Sequence, residues 1–368
     1  MPRFFRRMAA LVLAMLCLTA SMVCRAAAPN ISASSYVLMD ADSGRVLLAR
    51  DETVEKPIAS TTKIMTALVA LRHSRPTDEV TVRREHLKEG SSMYLIEGET
   101  LTMEALLYGL MLPSGNDAAE CIADACGGTE QFIAWMNETA AELGMTHSAF
   151  ANPSGLDAPG HYSCALDMAR LMAHAMTVPD FAQLASAKSV TAGNRVMANH
   201  NKLLGTMEGC IGGKTGYTGS AGRTLVTCAE RDGLRLVAVT LHDGNDWADH
   251  TALYEYGFEH YHSRIPIRRG EVLAECAVRG GESVSVPLAA EQAFSCAVAE
   301  GEELTIHIET PETARAPVTA GQRLGEVTIL LGDTELGRVG LTARHGVSAA
   351  PLSEKTTFLD KLRALFGT

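Results

Sequence analysis

Three short motifs stand in fixed order along the chain: Ser60-Thr-Thr-Lys63, Ser114-Gly-Asn116 and Lys214-Thr-Gly216. Each alone constrains little, because a serine and a lysine three apart occur on many helices. Together they constrain the fold strongly. Their local contexts are a helix start, a break between two helices and a Gly-rich strand. A fold that uses all three must bring those three kinds of element to one point.

The spacings fit one chemistry. Positions i and i+3 share a helix face, so Ser60 and Lys63 come within hydrogen-bond reach. A serine hydroxyl is a weak nucleophile until a base takes its proton. Lys63 can be that base only when neutral, and burial or a second nearby cation lowers a lysine pKa. Lys214 could be that cation. Ser114 has the chemistry to relay a proton to a leaving amine, and Asn116 can hold Lys63 or a substrate amide. Lys214 and Thr215 offer a charge and a hydroxyl to a carboxylate. Gly216 allows a substrate backbone to lie along the strand. The backbone N–H groups of Ser60 and Tyr217 suit an oxyanion hole.

The rest of the chain reads as a mixed α/β first part and an all-β second part. Ser35–Met39 and Arg45–Ala49 flank turn residues and predict a hairpin. Ser60–Leu71, residues 102–112, a segment from Asp117 (a plausible cap), 129–143 and 165–176 predict helices. Ile211–Gly216, Arg223–Ala229 and Leu234–Leu241 predict strands, the last two joined at Asp232-Gly233. From Ile265 to about Val347 short strands and Gly-rich turns predict a small separate β-domain.

With these motifs the chain resembles the low-molecular-mass penicillin-binding proteins, the serine-type D-Ala-D-Ala carboxypeptidases. The resemblance runs from about Ser35 to the C-terminus. Its most specific stretches are Pro57–Ala67, Pro113–Ala118, Gly155–Ser163, Asn201–Leu204 and Gly213–Thr218. It implies the penicilloyl-transferase, β-lactamase-like fold: an α/β (α+β) arrangement with an antiparallel sheet between flanking helices, followed by the β-domain. It implies attack by Ser60 on the penultimate D-alanine of a peptidoglycan stem peptide, loss of terminal D-alanine and hydrolysis of the acyl-enzyme. It implies no cofactor or metal, and trapping by β-lactam antibiotics. Some relatives add an arginine after the Lys-Thr-Gly strands to hold the substrate carboxylate. The matching region here, Asn245–His250, has Trp247 and no arginine, which moves that task to Lys214, Thr215 and Thr218. Asp157, His161, Trp247 and His250 read as structural.

Three rivals share the motifs or the fold. A β-lactamase is disfavoured by the absence of a Glu-x-x-Leu-Asn box and by the β-domain. A D,D-endopeptidase acting on cross-linked peptidoglycan uses the same three motifs. A non-catalytic wall-binding protein would be expected to have lost some of them.

Composition sets the setting. Arg3, Arg6 and Arg7, the apolar run Met8–Val23 and Ala26–Ala28 predict a cleaved secretory leader. The formal charge is −11, and loss of four arginines with residues 1–28 makes it −15. So acidic a chain, without a basic run, is not a nucleic-acid binder, and any carboxylate it binds must meet a local Lys or Arg. Of nine cysteines, seven lie beyond the leader without disulfide or zinc spacing, and Cys121 and Cys126 read as small buried apolar groups. Phe358, Leu359, Leu362, Leu365 and Phe366, beside Lys355, Lys361 and Arg363, predict an amphipathic helix that lies on the outer face of the cytoplasmic membrane. The expected parts are a signal peptide (1–28), a catalytic domain (29–263), a β-rich domain (264–350) and the amphipathic segment (354–368).

Overall fold

A computed structural model describes residues 28–351. The leader through residue 27 and the amphipathic segment from 354 lie outside the described residues. From Ile31 onward the described chain packs as one compact unit.

The predicted hairpin forms as β1 (Ser35–Asp40) and β2 (Val46–Arg50). A turn of 3-10 helix over Ala59–Thr62 leads into helix α1 (Lys63–His73), so the expected single helix is two segments that meet at Lys63. A two-stranded ribbon, β3 (Glu79–Thr81) with β4 (Thr100–Thr102), precedes α2 (Met103–Met111). Then come α3 (Asn116–Ala125), α4 (Thr129–Glu142), α5 (Ala165–Ala175) and α6 (Pro179–Ser186). A second ribbon, β5 (Ser189–Ala192) with β6 (Arg195–Ala198), and the short α7 (Leu203–Thr206) lead into β7 (Cys210–Thr218), β8 (Gly222–Arg231) and β9 (Leu234–Leu241). Asp232 and Gly233 both take positive φ, the backbone a two-residue hairpin turn demands, and they close Arg231 onto Leu234.

The main sheet has the order β2-β1-β9-β8-β7, and every pairing in it is antiparallel. All six residues of β1 are buried, because both faces of the sheet are covered. Val37, Met39, Val237 and Val239 face the helical layer of α1–α6. Tyr36, Leu38, Leu236 and Ala238 face α8 (Asp246–His260), whose Leu253 and Tyr254 complete a second core. The strand period of two thus sorts one sequence into two cores. At Gly257 a Cβ would press on Leu236 and Leu38, so glycine lets α8 sit close to the sheet. Helix α1 is buried from Lys63 to Ala70, as a helix enclosed by other helices must be.

Strand β10 (Tyr261–Ile267) starts directly at the end of α8, three residues ahead of the boundary expected from sequence. It pairs with β11 (Phe294–Ala299). The remaining strands of this C-terminal part form a six-stranded sheet around its own apolar centre of Val286, Leu288, Ile329 and Leu341. This part is docked rather than loose. Arg45 reaches Glu302 with both guanidinium nitrogens, at 2.6 and 2.7 Å, and Asp40 accepts from the Ala297 N–H at 2.9 Å. Among the described residues no helix is long and apolar enough to cross a membrane.

Candidate active site

The three motifs meet in a cleft of about 280 Å³ lined by Ser60, Ser114, Thr215, Gly216 and Tyr217. Local backbone explains why these residues stand there. Ala59, just before Ser60, and Ser114 both hold positive φ, at 48° and 64°. Such a backbone costs a non-glycine residue about 1–3 kcal/mol and persists only where surrounding contacts impose it. At Ala59 the imposing contact is Gly155: a Cβ there would collide with the Ala59 carbonyl, so the 152–155 loop can press against the helix entry only with glycine at that position. Gly216 answers a similar need. A Cβ on it would stand 3.0 Å from the Ser60 nitrogen, so glycine brings β7 against the serine. Sequence reading assigned Gly216 to the approach of substrate; its Cβ direction points instead at Ser60 and Thr224, inside the protein.

Lys63 is fully buried, and its Nζ lies 2.9 Å from Ser60 Oγ, 2.8 Å from Asn116 Oδ1 and 2.6 Å from the Ser154 carbonyl oxygen. Asn116 is itself fixed, donating from Nδ2 to the Glu89 carbonyl at 2.8 Å. Its carbonyl oxygen thus faces Lys63, and its Nδ2 has a second N–H beyond the one given to Glu89. Burial, and then the charge of Lys214, hold the Lys63 pKa well below the ordinary lysine value, against a weaker opposite pull from Asp117 and Glu120. Lys214 Nζ lies 2.9 Å from Ser114 Oγ and 2.8 Å from the Thr215 carbonyl, and burial lowers its pKa to about 7.

Several expectations change. Asp117 does not cap α3, whose cap is Gly115; its carboxylate accepts from Ser92 Oγ and from the Met93 and Leu95 N–H groups, fixing the loop beside the cleft. Lys214 is only 1% exposed, and its Nζ donates to Ser114 Oγ and to the carbonyl of its own strand, with a third donor beyond those two. Thr218 donates to Asp157 at 2.9 Å and accepts the Ala221 N–H, which ties down the turn after β7. Tyr217 is exposed at the cleft edge. His161 accepts the Ala151 N–H at Nδ1, leaving Nε2–H to donate to Thr62 Oγ1 at 2.8 Å. Burial lowers its pKa to about 4, so it is a neutral strut between the loop and the helix entry. His250 is likewise enclosed, between Thr227 and Thr240.

Four residues of the cleft were given no role by sequence reading: Ser91, His200, Arg223 and Asp246. Arg223 is the second residue of β8 and lies opposite Tyr217 in register. A signal was present, because counting back across the β7–β8 turn from Lys214-Thr-Gly216 puts the one charged residue of that strand start beside the motif.

A Ser–Lys pair at a helix entry, a second serine bonded to a second lysine and an α/β/α frame define the penicillin-recognising active-serine class. The comparisons with known proteins agree. Residues 22–245 match the family model for D-alanyl-D-alanine carboxypeptidase, and residues 261–349 match that of the penicillin-binding protein 5 C-terminal domain. The D-alanyl-D-alanine carboxypeptidase DacD of Escherichia coli K12 is 33% identical over 87% of this chain and 88% of its own. DacF of Bacillus subtilis 168 is 30% identical over 91% of this chain and 89% of its own. Penicillin-binding protein 5 of Haemophilus influenzae superposes with a TM-score of 0.77 at 28% identity, covering 88% of this chain and 99% of that one. The chain belongs to the D-alanyl-D-alanine carboxypeptidase family and is a serine-type carboxypeptidase of that family.

Proposed function

We propose that Ser60 is the nucleophile that removes the terminal D-alanine from peptidoglycan stem pentapeptides. The observation that carries this is the set of partners around Lys63. A neutral amine has two N–H donors and one lone pair. Asn116 Oδ1 and the Ser154 carbonyl are acceptors only and take both hydrogens. The lone pair is left for the Ser60 hydroxyl, 2.9 Å away.

The reaction then balances. Lys63 accepts the Ser60 proton as Oγ bonds to the penultimate D-alanine carbonyl carbon. The backbone N–H groups of Ser60 and Tyr217 receive the oxyanion. Collapse breaks the C–N bond, and the leaving amine takes a proton through Ser114, resupplied by Lys214. The proton that Lys63 took from Ser60 makes good the one Lys214 gave up, so Lys63 is neutral again. It takes a proton from water as the water oxygen bonds to the acyl carbon, and returns it to Ser60 Oγ as the ester C–O bond breaks. Thr215 at the cleft wall orients the substrate. A β-lactam that imitates the D-Ala-D-Ala end acylates the same serine.

Mass spectrometry of muropeptides after digestion tests the activity. Pentapeptides should lose one alanine while cross-linked dimers persist. Loss of dimers with pentapeptides intact would make the enzyme a D,D-endopeptidase and refute the reading.

The apolar leader and its small-residue end support export across the cytoplasmic membrane, and the apolar face of Phe358, Leu362, Leu365 and Phe366 supports attachment to that membrane's outer face. A mature chain ending at Ser353 should stay soluble, turn over small peptides as the full mature chain does, and no longer sediment with anionic liposomes. Equal sedimentation of the two would overturn the role of the tail.

A further inference from the structure

A single exposed apolar side chain is ordinary on a protein surface. Tyr94 differs in how it is held. It is 82% exposed, yet its backbone keeps φ at 61°, a left-handed conformation that a bulky residue retains only where its surroundings impose it. The Tyr94 N–H donates to Ser92 Oγ at 2.7 Å. On either side of it, the N–H groups of Met93 and Leu95 both donate to the buried Asp117 carboxylate. The Tyr94 carbonyl accepts from Arg195 Nη2 at 2.7 Å. Arg195 also pairs with Glu99, whose carboxylate accepts the Ile96 N–H. The loop between β3 and β4 is thereby locked to the β5–β6 ribbon, and a strained backbone presents an aromatic residue to water.

Neighbouring side chains extend the display. Ile96 is exposed while Leu95, between it and Tyr94, is buried, and Val196, next to Arg195 on the ribbon, is exposed as well. The display stands beside the cleft. Ser91, three residues ahead of Tyr94, lines it, and so does His200, four residues after Val196. The Ser91 carbonyl accepts the Asn116 N–H at 2.7 Å, so the loop that shows Tyr94 is bonded directly to the catalytic machinery. No step of the acyl transfer uses Tyr94.

We propose that Tyr94, flanked by Ile96, is a stacking site for a sugar ring of the peptidoglycan glycan strand. The proposal rests on the carboxypeptidase reading, because the stem peptide is carried on that strand, and it names a second part of the substrate that the enzyme holds. A pyranose offers an aromatic ring a flat face of C–H groups and keeps its hydroxyls at the edge, in water. Tyrosine suits such a half-wet site, with an apolar body and a polar tip. Because the loop is already ordered, little conformational freedom is lost when the sugar docks. A neutral sugar also meets no repulsion from a chain of formal charge −11.

The test compares a free pentapeptide ending in D-Ala-D-Ala with insoluble peptidoglycan that carries the same pentapeptide. For Tyr94→Ala, D-alanine release from the polymer should fall about tenfold more than release from the free peptide, the scale of one lost aromatic contact. Tyr94→Phe keeps the ring and should retain polymer turnover. Tyr94→Gly suits the positive φ but lacks the ring, so it should behave as Tyr94→Ala does and separate the loss of stacking from any disturbance of the loop. A second readout needs no turnover: the full mature chain should be retained on immobilised glycan strands stripped of peptide, and Tyr94→Ala should elute earlier. Equal losses on polymer and free peptide in both the Ala and Gly variants would mean that the loop only supports the cleft, and would overturn the proposal. So would unchanged polymer turnover in those variants, a Tyr94→Phe as impaired as Tyr94→Ala, or a wild-type chain that passes the stripped glycan unretained. A wild-type chain that is retained on glycan but releases D-alanine from neither substrate would sink the carboxypeptidase reading instead, so the two failures are distinguishable.

Discussion

Ser60→Ala should abolish both D-alanine release and covalent labelling by penicillin, a loss of about 10⁴-fold or more in turnover. The variant removes the one oxygen that can bond to the acyl carbon, and nothing else near Lys63 can replace it. Lys63's other neighbours are an amide oxygen and a peptide carbonyl, neither a nucleophile. The fold should survive, since Ser60 is only partly buried and its Oγ bonds only to Lys63 among the described residues. Intact-protein mass after incubation with penicillin, followed by peptide mapping, decides the matter. An adduct on another residue, or a stable adduct in Ser60→Ala, would overturn the assignment and with it the mechanism.

What could be read from the sequence was local. The β1–β2 hairpin, the Asp232-Gly233 turn and the β9 limits follow from turn chemistry and strand alternation within a few residues. The sheet order could not be read that way, because β1 pairs with β9, some two hundred residues later. The motifs named Ser60, Lys63, Ser114 and Lys214, but not the division of labour among them. Whether a lysine stands free or buried depends on neighbours such as Ser154 and Thr215, whose carbonyls carry no sequence signal. Asp117 was misread for a related reason. Its typical local use is a helix cap, and it is claimed instead by a loop brought in by the tertiary fold. Arg223 gained no role from the sequence because its place comes from register: it joins the cleft only once β8 is laid against β7.

Lys63→Ala should slow both acylation and deacylation about 10³-fold, the usual scale for a general base, and Lys63→Arg should not restore them because arginine does not give up its proton. The pH dependence follows from burial and from the second lysine. The active form needs Lys63 neutral, so the rate is lost as pH falls and the amine protonates. Burial and Lys214 both lower the Lys63 pKa, and Lys214 itself is brought to about 7. The acid limb of kcat/KM should therefore lie well below the pKa of a free lysine and belong to the coupled pair. Lys214→Ala removes a cation that depresses Lys63, so whatever activity remains should show its acid limb at higher pH. The same shifts act on stability with a definite sign. Between the folded and unfolded pKa values the unfolded chain binds more protons, so stability rises with pH over that window. At lower pH the protein carries the full cost of a buried ammonium. Lys63→Met, which removes the charge but keeps the volume, should flatten the rise of Tm toward pH 10 while leaving the enzyme inactive. An unchanged rise of Tm with pH, or an acid limb unmoved by Lys214→Ala, would show that Lys63 rests charged in the folded enzyme and cannot be its base.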